Sequence, residues 1–249
     1  MREGDEECCG TIENGDLAAI AMQEAEELAS AQLATLDAQT VAKLEQYIPL
    51  APLHQPHNLA AIRALRKLRP ELPQVACFDT AFHRSQPAIA QSFALPRAVT
   101  EQGLRRYGFH GLSYEHIAGA LPAALGAGAD GRVIVAHLGN GASLCAMHQR
   151  RSIATTMGFS TLDGLVMGTR CGSIDPGVLF YLMHERKMSS AAVEDLLYRQ
   201  SGLLGVSGIS NDMRALLDSS DPRAVEAVAQ FVYRAALETG ALTAALEGL

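Results

Sequence analysis

Lysine is scarce in this 249-residue chain, confined to Lys43, Lys67 and Lys187. No GxxxxGK[ST] stretch occurs, so any phosphate chemistry here does not use a P-loop. GxSxG and HExxH are absent too, which removes the anchors of the serine-hydrolase and zincin readings. The five cysteines have no CxxC spacing, so neither a zinc ribbon nor a disulfide framework is expected, and a reducing compartment fits. No apolar run approaches the ~18–20 residues of a membrane span, and MREGDEECCG has no apolar signal core. Cytoplasmic location without membrane contact is the expectation. Fixed-period repeats and low-complexity linkers are also missing.

What is present suits a globular enzyme. Hydrophobic residues make up 48% of the chain and charged residues 19%, enough to bury a sizeable core. The net charge of −7 is concentrated at the start, where residues 1–30 hold nine acids against Arg2 alone. The rest is near neutral without a basic stripe, so nucleic acid is not an expected partner. Residues 14–34, rich in Ala and Glu, read as a polar helix, and 36–48 as another. The apolar spacing of NLAAIRALRKLR (58–69) predicts a helix with a basic end. Val75–Phe78 reads as a buried strand delivering Asp79 at its C-terminal end, where ligands sit in open α/β sheets. Strands are expected over Val133–His137, Ser143–Met147 and Ser152–Thr156, the first two flanking an Asn140-Gly141 hairpin turn. Helices follow: one from Ser113 as cap to Leu125, Gly177–Glu185, Ser190–Gln200 after a Ser189 cap, and a long one from Pro222.

Four stretches could carry chemistry. His137-Leu138-Gly139-Asn140-Gly141 ends a strand in a glycine-rich turn whose amides can face an anion, or is a type I′ hairpin turn and nothing more. Asp79, between Phe78 and Phe82, is a candidate base or metal-facing carboxylate, or a turn cap. His110, among arginines and glycines in RRYGFHG, is a candidate charge-assisted donor to an anion, or a structural histidine. Arg170 stands in GLVMGTRCGSIDPG, a run whose glycines let the backbone bend around something. Its planar fork matches phosphate or carboxylate oxygens. The alternative is an Arg paired with Asp163 or Asp175 to brace the loop.

Taken in order, APLHQPHNL (51–59), VACFDTAFH (75–83), RRYGFHGLS (105–113), AHLGNGAS (136–143), TTMGFSTLDGLVMGTRCGSIDPG (155–177) and SGLLGVSGISNDMR (201–214) resemble the acetate kinase family from about Thr35 onward. The resemblance implies an α/β fold of the acetate and sugar kinase/Hsp70/actin type, two ribonuclease-H-like domains, here incomplete. It divides the chain into an acidic leader over 1–34, the remainder of domain one over 35–84 and most of domain two over 85–249.

The implied activity is reversible transfer of the ATP γ-phosphate to acetate. The resemblance makes Asp79, His110 and Arg170 the catalytic set. It assigns ATP contacts to His137, Leu138, Gly139, Asn140 and Gly141 on the phosphate side and to Asp212, Met213 and Arg214 on the adenosine side. Leu53, His54 and Phe109 would line the acyl pocket. ATP and Mg²⁺ are the implied cofactors and a homodimer through domain two the implied assembly. The family's amino-terminal phosphate turn, later nucleotide loop and metal ligands match nothing in this sequence, so no metal ligand is assigned and impaired turnover is expected. Gln55, Leu112, Tyr114 and Ser173 depart from the usual family residues, and so does Thr161 at a pocket position, which opens propionate or butyrate as the acyl substrate. A non-catalytic nucleotide-binding or dimerisation module is the alternative of a different class.

Overall fold

A computed structural model describes residues 18–22, 33–46, 48 and 55–249. The chain divides into two units, Met1–Phe82 and His83–Leu249. The first contains strands β1 (Ala18–Met22) and β2 (Leu33–Thr35), helices α1 (Ala38–Gln46) and α2 (Gln55–Leu68), and strand β3 (Gln74–Phe78). Its sheet has the order β1-β3-β2, with β1 parallel and β2 antiparallel to β3. Of the helix expected over 14–34, the described residues 18–22 and 33–34 are strand, and the others lie outside the described residues. Ala18–Met22 is a five-residue apolar run, too short for periodicity to distinguish helix from strand. Its pairing with β3, from Ala18 opposite Gln74 to Met22 opposite Phe78, decides the outcome. In α2 the expected apolar spacing does its work: Leu59 and Ile62 are fully buried and pack with Leu44 of α1 and with Ala76 and Phe78 of β3.

The second unit opens with short helices α3 (Ala88–Gln91) and α4 (Arg97–Thr100) and the longer α5 (Gly111–Leu125). An antiparallel meander follows, β4 (Arg132–Leu138), β5 (Ala142–His148) and β6 (Arg151–Thr155), within a residue or so of the expected runs. Five helices complete it: α6 (Pro176–His184), α7 (Ser190–Arg199), α8 (Gly202–Ser207), α9 (Met213–Leu217) and α10 (Pro222–Ala245). Side chains of Asp175, Ser189, Asp212 and Asp221 cap α6, α7, α9 and α10 by accepting from backbone amides, satisfying first-turn donors that the helix cannot. Among the described residues no helix is long and apolar enough to cross a membrane.

Two local expectations change. Neither Asn140 nor Gly141 is among the residues with positive φ, so their turn is not type I′. Tertiary contacts hold it otherwise: the Asn140 carbonyl accepts from the Gly168 amide at 3.1 Å, and the Gly139 amide donates to the Gly141 carbonyl at 3.0 Å. The two-residue hairpin with both φ values positive links β5 to β6 at Gln149 (51°) and Arg150 (60°), where no Asn-Gly signal stands. Second, α5 is entered through His110, whose backbone is left-handed at φ 59°, and not through a Ser113 cap.

The central strand β5 is buried from Ala142 to Met147. Leu144 and Ala146 pack with Phe109, Met157, Leu165, Met167 and with Leu242 and Leu246 near the end of α10. A second cluster joins Val166 to Leu203, Leu216, Ala224 and Ala227. Both clusters reach into the 164–172 loop, which is further clamped by its backbone. Met167 donates to the Arg170 carbonyl at 3.1 Å; Ser201, Leu203 and Leu204 donate to Thr169, Met167 and Gly168 at 3.0, 2.9 and 3.0 Å. Gly202 makes that approach possible. Its φ is +63°, and a methyl there would collide with the Met167 carbonyl and lie 2.7 Å from the Arg170 carbonyl.

Two stability outcomes follow from these backbone positions. Gly202→Ala is expected to lose at least about 2 kcal/mol, because strain and backbone collision coincide there; urea unfolding that shows less than half of this would refute the clamp. Gln149→Asn should instead gain a few tenths of a kcal/mol, since asparagine tolerates the left-handed region better, and an unchanged or lowered midpoint would count against that turn geometry.

Candidate functional site

The site in the second unit is built around Gly141. A Cβ on that residue would lie 3.1 Å from Arg170 Nη2 and 3.1 Å from His110 Nε2. The guanidinium and the imidazole thus converge on one bare stretch of backbone, approaching as closely as the missing side chain allows. Of the sequence candidates, His110, His137, Asn140, Gly141 and Arg170 are brought together here. The His110 and His137 rings stack with centroids 4.0 Å apart and an 18° interplanar angle.

Arg170 is not a loop brace. Asp163 pairs with Arg106 at 3.1 Å and accepts from Ser173 Oγ at 2.6 Å, while Asp175 caps α6. Arg170 Nη1 instead donates to the Thr161 carbonyl at 2.7 Å, which fixes the plane of the fork. Its charge is permanent, so it offers positive potential at any working pH.

The first turn of α5 and the start of β5 hold the two imidazoles. Ser113 Oγ lies 3.1 Å from His137 Nδ1, which explains why Ser113 is not spent as a cap. Ser143 Oγ lies 2.8 Å from His110 Nδ1 and 2.5 Å from the Tyr114 hydroxyl. Behind them His83, fully buried, donates from Nε2 to the Phe109 carbonyl at 2.8 Å. His83 Nδ1 is 2.9 Å from Ser152 Oγ, which also takes a hydrogen bond from Gln86 Nε2 at 3.0 Å. With Nε2 donating, Nδ1 accepts and the ring is neutral. His83 thereby anchors the peptide just before the left-handed His110, a conformation that costs about 1 kcal/mol or more unless its surroundings fix it.

Burial pushes the His83 imidazole down to about 4. Burial, then His137, Arg170 and His83, push His110 down to about 3. His110 is therefore neutral near pH 7, and any bond it gives an anion comes from a neutral N–H, not from an imidazolium.

The remaining candidates sit as follows. Asp79 belongs to the first unit, half-buried just after β3. Leu53 and His54 lie outside the described residues. Phe109 is 2% exposed and packs in the core with Ala142, Leu144 and Met157. Leu138 is exposed, and Gly139 uses its amide within the turn. Asp212 caps α9 by accepting from the Arg214 amide at 2.9 Å, and its carboxylate pairs with the Arg214 side chain. Met213 packs against the Val166 cluster. The Asn211 carbonyl lies 3.3 Å from where a Gly168 Cβ would stand, so this segment adjoins the loop that carries Arg170. Among the described residues no three His, Cys, Asp or Glu side chains converge to hold a metal. A cavity of about 270 Å³ lined by Val166, Cys171, Gln200, Ser201, Gly202 and Gln230 includes none of the converging groups.

Comparison with known proteins gives this arrangement its context. The model of the acetokinase family matches residues 22–249, beginning within the acidic stretch. The chain is 66% identical over 212 residues to an acetate kinase of Rhodopseudomonas palustris (strain ATCC BAA-98 / CGA009), covering 85% of this chain and 53% of that protein. To the acetate kinase of Nitrobacter hamburgensis it is 58% identical over 214 residues, 86% of this chain and 53% of the relative. Among solved structures, Porphyromonas gingivalis acetate kinase superposes with a TM-score of 0.83 at 37% identity, covering 94% of this chain and 59% of that one. A Francisella tularensis propionate kinase gives 0.84 at 37% identity, covering 90% and 58%. The chain thus spans about half the length of the curated relatives it matches.

His83, buried, and His110, partly buried, set a pH dependence. Their folded values lie below the ordinary 6.5, so the unfolded chain takes up protons first as pH falls. Stability is fully present above about pH 6.5 and is lost on acidification toward pH 4, at up to ~1.4 kcal/mol per pH unit per histidine. His83→Gln is expected to flatten that slope by about one proton in urea unfolding followed from pH 7 to 4; an unaltered slope would show that His83 is not held neutral.

Proposed function

The chain belongs to the acetokinase family, and on that premise we propose that it carries the phosphoryl-handling face of an ATP-dependent acetate kinase. One observation supports this most: Arg170 and His110 converge on Gly141 at the glycine-rich turn. Transfer of a γ-phosphoryl group needs positive charge and donors around three equatorial oxygens, with little covalent help. Arg170 supplies the charge, His110 a neutral donor, and the amides of Asn140 and Gly141 are the turn's candidate donors. Partial burial strengthens each contact relative to water. Residues 85–249 are assigned to the nucleotide-handling domain, with the Asp212–Arg214 segment on the adenosine side. Residues 35–84 are assigned to the other domain, within which Asp79 is the proposed functional carboxylate. Magnesium, if it entered with the nucleotide, would supply charge neutralisation of the phosphates, and no described residue is assigned to hold it. Exposed Val178, Phe180 and Tyr181 on α6 and Val232 and Tyr233 on α10 support a homodimer through the second domain.

Two further readings have observations of their own. The likeness to a propionate kinase favours a test of longer acyl chains, where one methylene shifts selectivity by only ~1–3 kcal/mol. The half-length coverage of relatives favours a fragment that binds nucleotide without turnover.

Acyl phosphate formed from ATP and acetate, trapped as hydroxamate, separates these outcomes. Arg170→Ala is expected to reduce it about 100-fold or more, with propionate the weaker substrate in competition. Equal product from the variant would overturn the role of Arg170. ADP binding without product from the parent chain would select the nucleotide-binding fragment.

A further inference from the structure

Tyr114 is a buried polar group that the phosphoryl-handling roles leave unused. It has no solvent exposure, and its hydroxyl lies 2.5 Å from Ser143 Oγ, itself fully buried and 2.8 Å from His110 Nδ1. The Tyr114 amide donates to the His110 carbonyl at 3.0 Å, so one residue grips both the backbone and, through Ser143, the ring of His110. His83 backs the phenol edge-on, with centroids 5.6 Å apart at 71°.

The geometry points to Tyr114 as a positioning residue that, through Ser143, fixes His110 in the tautomer with its proton on Nε2, the nitrogen that faces Gly141 beside Arg170. The polarity of the chain follows from acidity. A phenol is a far stronger acid than an aliphatic hydroxyl, so Tyr114 donates to Ser143. The single Ser143 proton then points to His110 Nδ1, which accepts, and a neutral imidazole must carry its own proton on Nε2. That arrangement is not what the ring would choose alone. Arg170 Nη2 and His110 Nε2 stand at equal 3.1 Å distances from the same point, and beside a guanidinium an imidazole prefers to present a lone pair. The relay opposes that preference, so two donors face one position and an oxyanion between them satisfies both. In the opposite tautomer the Nε2 lone pair would repel the same oxygen. His137, Arg170 and His83 act electrostatically on the ring, and burial keeps it neutral far below pH 7.

What the Nε2 proton does rests on the proposed phosphoryl transfer; where it sits does not. Two-bond ¹H–¹⁵N spectra of histidine side chains in the full chain at pH 7 test the placement, with His110 assigned by the signal lost in His110→Gln. The parent protein is expected to show His110 protonated on Nε2 alone. Tyr114→Phe, which keeps the ring, and Ser143→Ala should both give a mixture of tautomers or the reverse one. Inorganic phosphate, as the probe, should bind roughly 2- to 10-fold more weakly to Tyr114→Phe. A parent protein with the proton on Nδ1, or a tautomer unchanged in both variants, overturns the proposal, as does weaker phosphate binding with an unchanged tautomer. None of these readouts requires turnover, so an inactive chain leaves the tautomer test intact.

Discussion

Three backbone hydrogen bonds between the 164–172 loop and the start of α8, with a fourth inside the loop, carry the site. Met167, Thr169 and Gly168 give their carbonyls to amides at 203, 201 and 204, and Met167 closes the loop on Arg170. Because these bonds are backbone to backbone, the loop's path depends on which residue permits the approach, and Gly202 does so at positive φ. The side chains on either side, Val166 and Met167, are anchored in two separate apolar clusters. Arg170 therefore projects from a segment fixed on both flanks, and its Nη1 bond to Thr161 removes most of the remaining freedom. Holding a flexible cation in advance is what makes it useful to an anion, since the ordering cost is met on folding and not on binding.

The two partners at Gly141 divide the electrostatic work. Arg170 keeps its charge everywhere, whereas His110 loses the option of charge through burial and like-charged neighbours. A neutral donor beside a permanent cation gives direction without adding a second positive charge that the empty site would have to tolerate. The stacked His137 ring is one of those neighbours.

Much of this was legible in the sequence because it resides in residue type and order. The three strands of the meander emerge from short apolar runs between turn residues, and four of the caps are Asp or Ser ahead of an apolar helix. The converging groups His110, His137, Asn140, Gly141 and Arg170 all stand in glycine-punctuated phrases, where close backbone approach leaves a compositional trace. What escaped was long-range. The Asn140-Gly141 signal predicts a type I′ turn, but Gly168 bonds the Asn140 carbonyl and another conformation wins, while Gln149-Arg150 adopts the mirror-image turn without any signal. Where a helix was expected, Ala18–Met22 is strand, because pairing with β3, far along the chain, outweighs the helical preference of alanine. His83, Ser143 and Tyr114 carry no motif of their own, and their importance comes from hydrogen bonds spanning between 26 and 69 positions.

The choice of arginine as the cation beside Gly141 has a chemical corollary. An acyl phosphate, the product proposed for this site, transfers its acyl group readily to unprotonated amines. A lysine placed there would be held next to such an electrophile at every turnover and could be converted into an uncharged amide. A guanidinium, protonated throughout, has no lone pair to attack with. Arg170 can therefore grip a reactive mixed anhydride repeatedly without being consumed by it, and the near-absence of lysine from the chain leaves few other amines for the product to modify.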